Sequence, residues 1–261
     1  MRITDIREAS APIKSNIRNA YIDFSQMTVS VVALESDLIR NGRPLTGYGF
    51  CSNGRYSQGG ILRERLIPRL AAANPQLLLN DDGDNFDPRK IRNTILQNEK
   101  PGGHGDRAVA VGALDMAVWD LVAKVKELPL WRFLSERHND GHYDKEVMVY
   151  PGGGYYYPSK GIDSLQHEMQ GYLDQGYKVV KMKIGAVPLG EDLKRIEAVV
   201  NLLGGGEDLA VDANGRFDID TALKYGEHLA PFDLFWFEEP GDPLDFKLNA
   251  ELATQYPNSI A

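Results

Sequence analysis

Cysteine is nearly absent from this sequence of 261 residues, which contains only Cys51. A single cysteine cannot form a disulfide within the chain, so the fold must be stable without internal crosslinks. We expect Cys51 to be a loop or core residue rather than a nucleophile, because no general base stands beside it in the sequence.

Long apolar runs and basic clusters are also missing. No apolar run is long enough to cross a bilayer, and the N-terminus lacks the charged and then apolar pattern of a signal peptide. The net charge of −8 argues against nucleic acid and against an anionic membrane surface as partners. We therefore expect a soluble cytoplasmic protein, in which a local basic pocket can still bind small anions.

Two lysines interrupt the apolar, β-branched stretch VVKMKIG at residues 179–185. On a strand, residues two apart point to the same face, so the ammonium groups of Lys181 and Lys183 should lie side by side. Buried strands normally exclude charge, and this pattern therefore indicates a role in charge or proton transfer. The alternative is a solvated edge strand, which lysines commonly protect from aggregation.

Carboxylates end the next two apolar runs along the chain. Asp212 follows LAV and Glu238 follows FWF, and helical periodicity separates the runs, at 190–203 and through residue 229, with Asp220 and Thr221 as the predicted N-cap. A strand and a helix repeating at roughly thirty residues is typical of a parallel β/α barrel. In such a barrel the C-terminal strand ends converge, so both lysines and both carboxylates should share one site.

The first half of the chain has a different pattern. Residues 2–9, 28–35 and 45–51 are predicted to be three short strands of a meander. Residues 107–127 are apolar on most of their circumference and predict a buried helix. The polar stretch 136–146 is the predicted domain boundary.

Four motifs then occur in an order that identifies a family: ALDMAVWDL at 113–121, KMK at 181–183, VDANG at 211–215 and EEP at 238–240. Together they resemble enolase-superfamily enzymes of the mandelate racemase and muconate lactonizing type, over every part of the chain. The resemblance implies an α/β protein with an α+β capping domain, 1–140, followed by the first half of a modified (β/α) barrel, 141–261. It also implies Mg2+ held by three carboxylates and removal of a proton α to a substrate carboxylate.

Roles follow from the resemblance at matching positions. Asp212 and Glu238 match the first two metal ligands, and oxygen ligands suit Mg2+. Lys183 matches the base, which must be a neutral amine. Lys181 would stay protonated, lower the pKa of its neighbour and neutralise the enediolate that forms when the proton leaves.

Two further residues have supporting roles in this interpretation. Asn214 lies on the same strand face as Asp212 and is expected to support the ligand shell. Glu239 should point away from Glu238, so a hydrogen-bonded supporting role and direct coordination both remain open.

The loops indicate a substrate class. Residues 17–21, 52–56, 98–105 and 152–157 resemble the loops of D-tartrate dehydratases. Tartrate carries two carboxylates, so one end needs the metal and Lys181 while the other needs a cation and amide donors. Lys100, Asn19 and Asn53 are the expected donors from the capping domain, and Tyr156 is the expected hydroxyl donor. The alternative is that Lys100 is solvated and the tyrosines only pack.

The leading hypothesis is a carbon–oxygen lyase that dehydrates an acid sugar or hydroxy diacid. The sequence ends at Ala261, where the family has its fifth strand with the third ligand, so we expect that ligand and the general acid to lie beyond it. A racemase or cycloisomerase is one alternative, and a truncated noncatalytic remnant is another. The expected partners are a small carboxylate substrate and, at full length, further copies of the chain.

Overall fold

The computed structural model describes residues 1–54, 56–102, 105–158 and 160–261, without the side chain of Asn53. Two compact units are present. The first comprises Met1–Lys14 with Ser25–Lys145, and the second comprises Ser15–Phe24 with Glu146–Ala261. The sequence-based division into domains 1–140 and 141–261 stays a prediction for the protein.

The first unit contains an antiparallel sheet of three strands in the order β1-β2-β3. They span Ile3–Pro12, Thr28–Arg40 and Arg43–Gly54. Each is longer than predicted. The hairpin between β2 and β3 closes tightly at Asn41 and Gly42, both with positive φ, so these two strands extend as far as the turn. The predicted meander is therefore confirmed.

Helices follow the sheet in the first unit. They are α1 (Ser57–Ile61), α2 (Ile67–Ala71), α3 (Pro88–Ile95), α4 (Asp106–Val125) and α5 (Leu130–His138), with a π-helical segment (Leu62–Leu66) between α1 and α2 and a 3-10 helix at Pro75–Leu78. Another 3-10 helix, Phe24–Gln26, precedes β2. The predicted buried helix is α4. Its Asp120 accepts hydrogen bonds from the Tyr48 amide at 2.8 Å and from Lys124 at 2.6 Å.

Strand β3 packs directly on the backbone of α4. A Cβ at Gly47 would lie 2.0 Å from the carbonyl oxygen of Ala117, and a Cβ at Gly49 would lie 2.0 Å from that of Ala113. Both alanines are fully buried. Glycine on the strand and alanine on the helix therefore set how closely these elements approach.

The second unit contains a parallel sheet in the order β4-β5-β6-β7. Its strands are β4 (Gly152–Gly153), β5 (Val180–Lys183), β6 (Leu209–Asp212) and β7 (Trp236–Glu238), and its helices are α6 (Ile162–Asp174), α7 (Leu189–Leu203), α8 (Ile219–Leu229) and α9 (Phe246–Gln255), with a 3-10 helix at Ala230–Phe232. Strands and helices alternate as in the first half of a β/α barrel, which confirms the predicted repeat.

Two details of this unit correct the sequence-based expectations. Strand β5 is flanked by β4 and β6, so the alternative of a solvated edge strand is wrong for Lys181 and Lys183. The N-cap of α8 is Asp218, whose side chain accepts from the Thr221 amide at 2.9 Å. The predicted cap at Asp220 and Thr221 was misplaced, because these residues form the first helical turn.

Apolar residues fill the face of the parallel sheet that lies opposite the charged side chains. Val180, Met182, Val211 and Phe237 are fully buried among the helices that follow the strands. Parallel pairing continues past β7, since the amide of Ala261 donates to the carbonyl of Phe237 at 3.1 Å. None of the helices in the described ranges is both long and apolar enough to cross a membrane.

The close approach of β3 to α4 makes a stability prediction. Gly49→Ala should lower the free energy of unfolding by about 3 kcal/mol, because the added methyl group overlaps the helix backbone. Gly112→Ala, on α4 itself, should be neutral or stabilising by up to about 1 kcal/mol, since a Cβ there meets nothing within 4 Å. Urea unfolding of both variants measures the difference, and equal stabilities would contradict the packing described.

Candidate active site

Three charged side chains lie abreast at the C-terminal ends of neighbouring strands. Lys183 on β5 is the register partner of Asp212 on β6, and Asp212 is the partner of Glu238 on β7. Equivalent positions on adjacent parallel strands point to the same face of the sheet. The sheet therefore brings the residues together without any contribution from a loop.

The ammonium groups of both lysines bind the same carboxylate. Lys183 Nζ lies 2.5 Å and Lys181 Nζ lies 3.3 Å from Asp212 Oδ2, and Lys181 also lies 2.6 Å from Glu238 Oε1. Lys183 and Asp212 are buried, with 7% and 1% of their surfaces exposed. The four groups form one network in which Lys181 bridges the two carboxylates.

Burial and charge oppose each other in this network. Burial alone would raise the pKa of Asp212, but its hydrogen bond from Lys183 holds that pKa below its ordinary value. Burial alone would lower the pKa of Lys181, but the hydrogen bond to Glu238 and the charge of Asp212 raise it. Lys181 is therefore a stable ammonium group, as the division of roles between the lysines requires.

Aromatic rings lie near both lysines, and sequence reasoning missed the nearby aromatic residues Tyr150 and Trp236. Lys181 Nζ lies 5.7 Å from the ring centre of Tyr150, and Lys183 Nζ lies 5.4 Å from that of Tyr155. Trp236 packs against Tyr150 and donates its indole N–H to Glu238 Oε2 at 2.9 Å. Trp236 stands two residues before Glu238 on the same strand, and this spacing was the signal that could have found it.

The two predicted supporting residues have left-handed backbones, with φ of 52° at Asn214 and 43° at Glu239. The Asn214 amide donates to Asp212 Oδ1 at 2.7 Å, which fixes one oxygen of that carboxylate. Asn214 Oδ1 is buried and has no hydrogen-bond partner within the described part of the chain. The backbone carbonyl of Glu239 accepts a hydrogen bond from the Gly215 amide. The role of the Glu239 side chain stays a prediction.

The donor set fits a hard divalent cation in part. Asp212 and Glu238 supply oxygen ligands, which Mg2+ prefers, and the positive charge of Lys181 now lies between them. The Asn214 side chain, two residues after Asp212, has a buried oxygen without a hydrogen-bond partner in the described part of the chain. No cluster of three or more His, Cys, Asp or Glu suited to a metal occurs among the residues described, so these carboxylates would supply two ligands of a larger set.

The Tyr156 hydroxyl was expected to donate to a substrate, but it donates to a carboxylate of the protein. It donates to Asp192 Oδ1 at 2.7 Å, and burial raises its pKa above the ordinary value. A hydroxyl has one proton to donate, so Tyr156 must leave Asp192 before it can donate to a substrate. Its substrate-binding role stays a prediction with this condition.

Asn19, expected from the capping domain, packs with the second unit. Its side-chain oxygen accepts from the amides of Tyr21 and Ile22 at 2.8 and 2.6 Å. The adjacent Arg18 carbonyl accepts from the Tyr156 amide at 3.0 Å, which ties this segment to the loop after β4. Only the side-chain amide donors of Asn19 are left for a ligand.

The other two expected substrate residues lie in the first unit. The side chain of Asn53 is outside the described residues. Lys100 lies beside Glu99, whose carboxylate binds Arg65, Arg69 and Arg107. Arg107 also donates to the Lys100 carbonyl at 2.9 Å, so this cluster anchors the backbone that carries Lys100.

Comparison with known proteins identifies the family. Residues 164–261 match the family model "Enolase C-terminal domain-like". A 3,6-anhydro-alpha-L-galactonate cycloisomerase of Streptomyces coelicolor is 37% identical over 261 residues, which cover 99% of this chain and 66% of that protein. The chain belongs to the enolase superfamily. The predicted family and fold are thereby confirmed.

Two further enolase-superfamily proteins are similar. An L-talarate/galactarate dehydratase of Salmonella typhimurium is 30% identical over 237 residues, covering 90% of this chain and 56% of that protein. The crystal structure of a racemase from Streptomyces coelicolor with bound magnesium has a TM-score of 0.78 at 27% identity, covering 99% of this chain and 68% of the other. The chain spans 66% and 56% of the length of the two curated relatives.

The shared carboxylate makes a prediction about stability. Asp212→Asn, measured without divalent metal, should lower the free energy of unfolding by about 3 kcal/mol, because it leaves Lys183 buried without a counter-charge. Denaturant unfolding at neutral pH tests this expectation. In the control, Asp81→Asn breaks a pair whose carboxylate is 97% exposed and should change little. An Asp212→Asn protein as stable as this control would contradict the network.

The Glu99 cluster makes a prediction about pH. Hydrogen bonds from the surrounding arginines lower the pKa of Glu99 from 4.5 to about 2. A carboxyl with a depressed folded pKa stabilises the protein above its unfolded pKa and loses this contribution as the pH falls through the folded pKa. Glu99→Gln should therefore flatten the loss of stability between pH 4.5 and about 2.

Thermal unfolding across that pH range measures the Glu99 effect. The exposed Glu64, on the π-helical segment of the same unit, provides the matched control Glu64→Gln. The control should keep the acid-side decline of the unaltered protein. If Glu99→Gln keeps it as well, the cluster does not stabilise the first unit.

Proposed function

We propose that the whole protein is a Mg2+-dependent enzyme that removes a proton α to a carboxylate and dehydrates an acid sugar or hydroxy diacid. The carrying observation is the convergence of Lys183, Lys181, Asp212 and Glu238 on one face of the parallel sheet. A base, a fixed ammonium group and two oxygen ligands are the components that proton abstraction beside a carboxylate requires.

The two lysines have distinct roles in this proposal. Lys183 removes the α-proton, and the C–H electron pair passes into the carboxylate to give an enediolate. Lys181, held as an ammonium group by Glu238, neutralises part of the charge that develops. Bound Mg2+, on Asp212 and Glu238, would supply the remaining positive charge as a Lewis acid. Collapse of the enediolate breaks the β C–O bond, and the hydroxide takes up a proton to leave as water.

The substrate class rests on the loops and on the relatives. Similar proteins are a dehydratase named for talarate and galactarate and a cycloisomerase named for an anhydrogalactonate. These are polyhydroxylated acids, and we infer a substrate of this class, with D-tartrate as the specific proposal from the loop sequences. Asn19, Asn53 and Lys100 are the proposed contacts to its remote carboxylate, and Tyr156 is the proposed hydroxyl donor.

A cycloisomerase or racemase is the second candidate, and the 37% identity to a cycloisomerase favours it. The first half-reaction is the same, because Lys183 would remove the same kind of proton. The reactions differ in the fate of the enediolate, which is reprotonated or cyclised instead of losing hydroxide. Products from one substrate panel therefore separate the two candidates.

The test is turnover of D-tartrate, galactarate and 3,6-anhydrogalactonate by the whole protein with Mg2+. We expect a 2-keto acid and water from one of the first two, and complete loss of activity when EDTA removes the metal. Lys183→Ala should lower kcat by at least about 10³-fold, since it removes the general base. Exchange of the substrate α-proton in D2O, followed by NMR, reports the first half-reaction separately.

The matched control is Lys178→Ala, which removes an exposed lysine just before β5. It should retain full activity. An isomer or lactone as product would favour the second candidate. An absence of both turnover and α-proton exchange with all of the acids would contradict both candidates and favour a noncatalytic role.

A further inference from the structure

An ion pair between Asp192 and the partly buried Arg195 contacts the backbone next to the candidate base. Asp192, in the first turn of α7, has no exposed surface. Its carboxylate accepts four hydrogen bonds, two on each oxygen: Oδ1 from the Tyr156 hydroxyl and Arg195 Nη1 at 2.7 and 2.9 Å, and Oδ2 from the Gly185 amide and the Tyr225 hydroxyl at 2.7 and 3.0 Å. The charge is thus fully satisfied inside the fold.

Arg195 also donates hydrogen bonds to the backbone at the end of β5 and just after β4. Its Nη1 donates to the carbonyl of Lys183 at 2.9 Å, and its Nη2 donates to that of Gly154 at 2.7 Å. The guanidinium group also lies 4.1 Å from the ring centre of Tyr156. A planar guanidinium offers donors in a fixed fork, so one side chain can hold both carbonyls at a set separation.

The pair therefore fixes the backbone on both sides of Ile184. Arg195 holds the carbonyl of Lys183, and Asp192 holds the amide of Gly185, two residues later. The direction of the Lys183 side chain follows from this backbone, and its Nζ lies 2.5 Å from Asp212. Neither Asp192 nor Arg195 is hydrogen-bonded to the carboxylates of Asp212 or Glu238 in the described structure.

Stability alone gives a weak reason for this arrangement. A buried ion pair is often no more stabilising than apolar side chains of the same volume. Precise placement of a base is a stronger reason, because an error of about 1 Å in a reacting group costs about 10²-fold in rate.

We propose that Asp192 and Arg195 are a positioning pair that holds Lys183 in line for proton abstraction, an inference that rests on the proposed function. Neither residue touches the substrate or exchanges a proton in the reaction. Loss of the pair changes the orientation of the Lys183 side chain and so lowers kcat. Substrate affinity depends on other groups.

The test uses Arg195→Ala in the whole protein. Arg195 lines a cavity of about 530 Å³ together with Tyr156 and Lys194, so guanidinium ions from solvent can reach the vacated position. We expect kcat to fall about 10²-fold with a smaller change in KM. Guanidinium chloride, below the concentrations that unfold the protein, should restore part of kcat. Lys194→Ala, an exposed neighbour on α7, is the control and should show neither effect.

A second readout does not depend on activity. Acetic anhydride labels lysines, and peptide mass spectrometry gives the ratio of labelling at Lys183 to that at Lys181. Arg195→Ala leaves the buried carboxylate of Asp192 without its counter-charge, so a lower Tm is expected. It should also change this labelling ratio, and guanidinium should return the ratio toward the value of the unaltered protein. If the protein turns over no acid but the ratio behaves in this way, the positioning inference stands and the proposed function fails.

Two results would overturn the inference. One is an unchanged kcat and labelling ratio in Arg195→Ala. The other is a lower Tm with equal increases in labelling at both lysines and no guanidinium rescue, which would mean a purely structural role. If Arg195→Ala does not fold, Arg195→Lys decides: it keeps the charge but loses the fork. A reduced kcat and altered ratio at native Tm would support positioning, and unchanged values would refute it.

Discussion

The register of the parallel strands is the constraint on which the candidate site depends. Lys183, Asp212 and Glu238 occupy equivalent positions on β5, β6 and β7, so a shift of one residue in any strand would turn its charged group to the opposite face. Apolar side chains on the opposite face of the sheet make such a shift costly, because it would exchange Met182 or Val211 with a charged residue. Packing of the core and alignment of the charges are therefore one requirement.

Neutral hydrogen-bond donors, as well as the lysines, hold the two carboxylates of the site in place. Trp236 holds one oxygen of Glu238, and the Asn214 amide holds one oxygen of Asp212. Each carboxylate therefore has one oxygen bonded to a neutral donor and the other facing Lys181. This arrangement fixes the orientation of both carboxylates before any ligand binds, which is the preorganisation that electrostatic catalysis needs.

The sequence was sufficient for the residues that regular periodicity places. Strand alternation put Lys181 and Lys183 on one face, and the β/α rhythm put Asp212 and Glu238 beside them. It was insufficient for Asp192, which lies in the polar segment EDLKR of α7 and has the pattern of an exposed helix face. Its burial comes from Tyr156 and Tyr225, more than 30 residues away on either side, and such tertiary contacts leave no local signal. The Asp218 cap was missed because Asp220 also fits a cap in sequence.

The charges of the described network balance without a ligand. Two ammonium groups, of Lys181 and Lys183, face two carboxylates, of Asp212 and Glu238. A divalent cation added to this neutral set leaves two positive charges in excess, and a neutral Lys183, which the role of base requires, reduces the excess to one. One substrate carboxylate would offset that remaining charge among these four groups. Under the proposed function, metal binding and carboxylate binding should therefore be coupled, each raising the affinity for the other by the same factor.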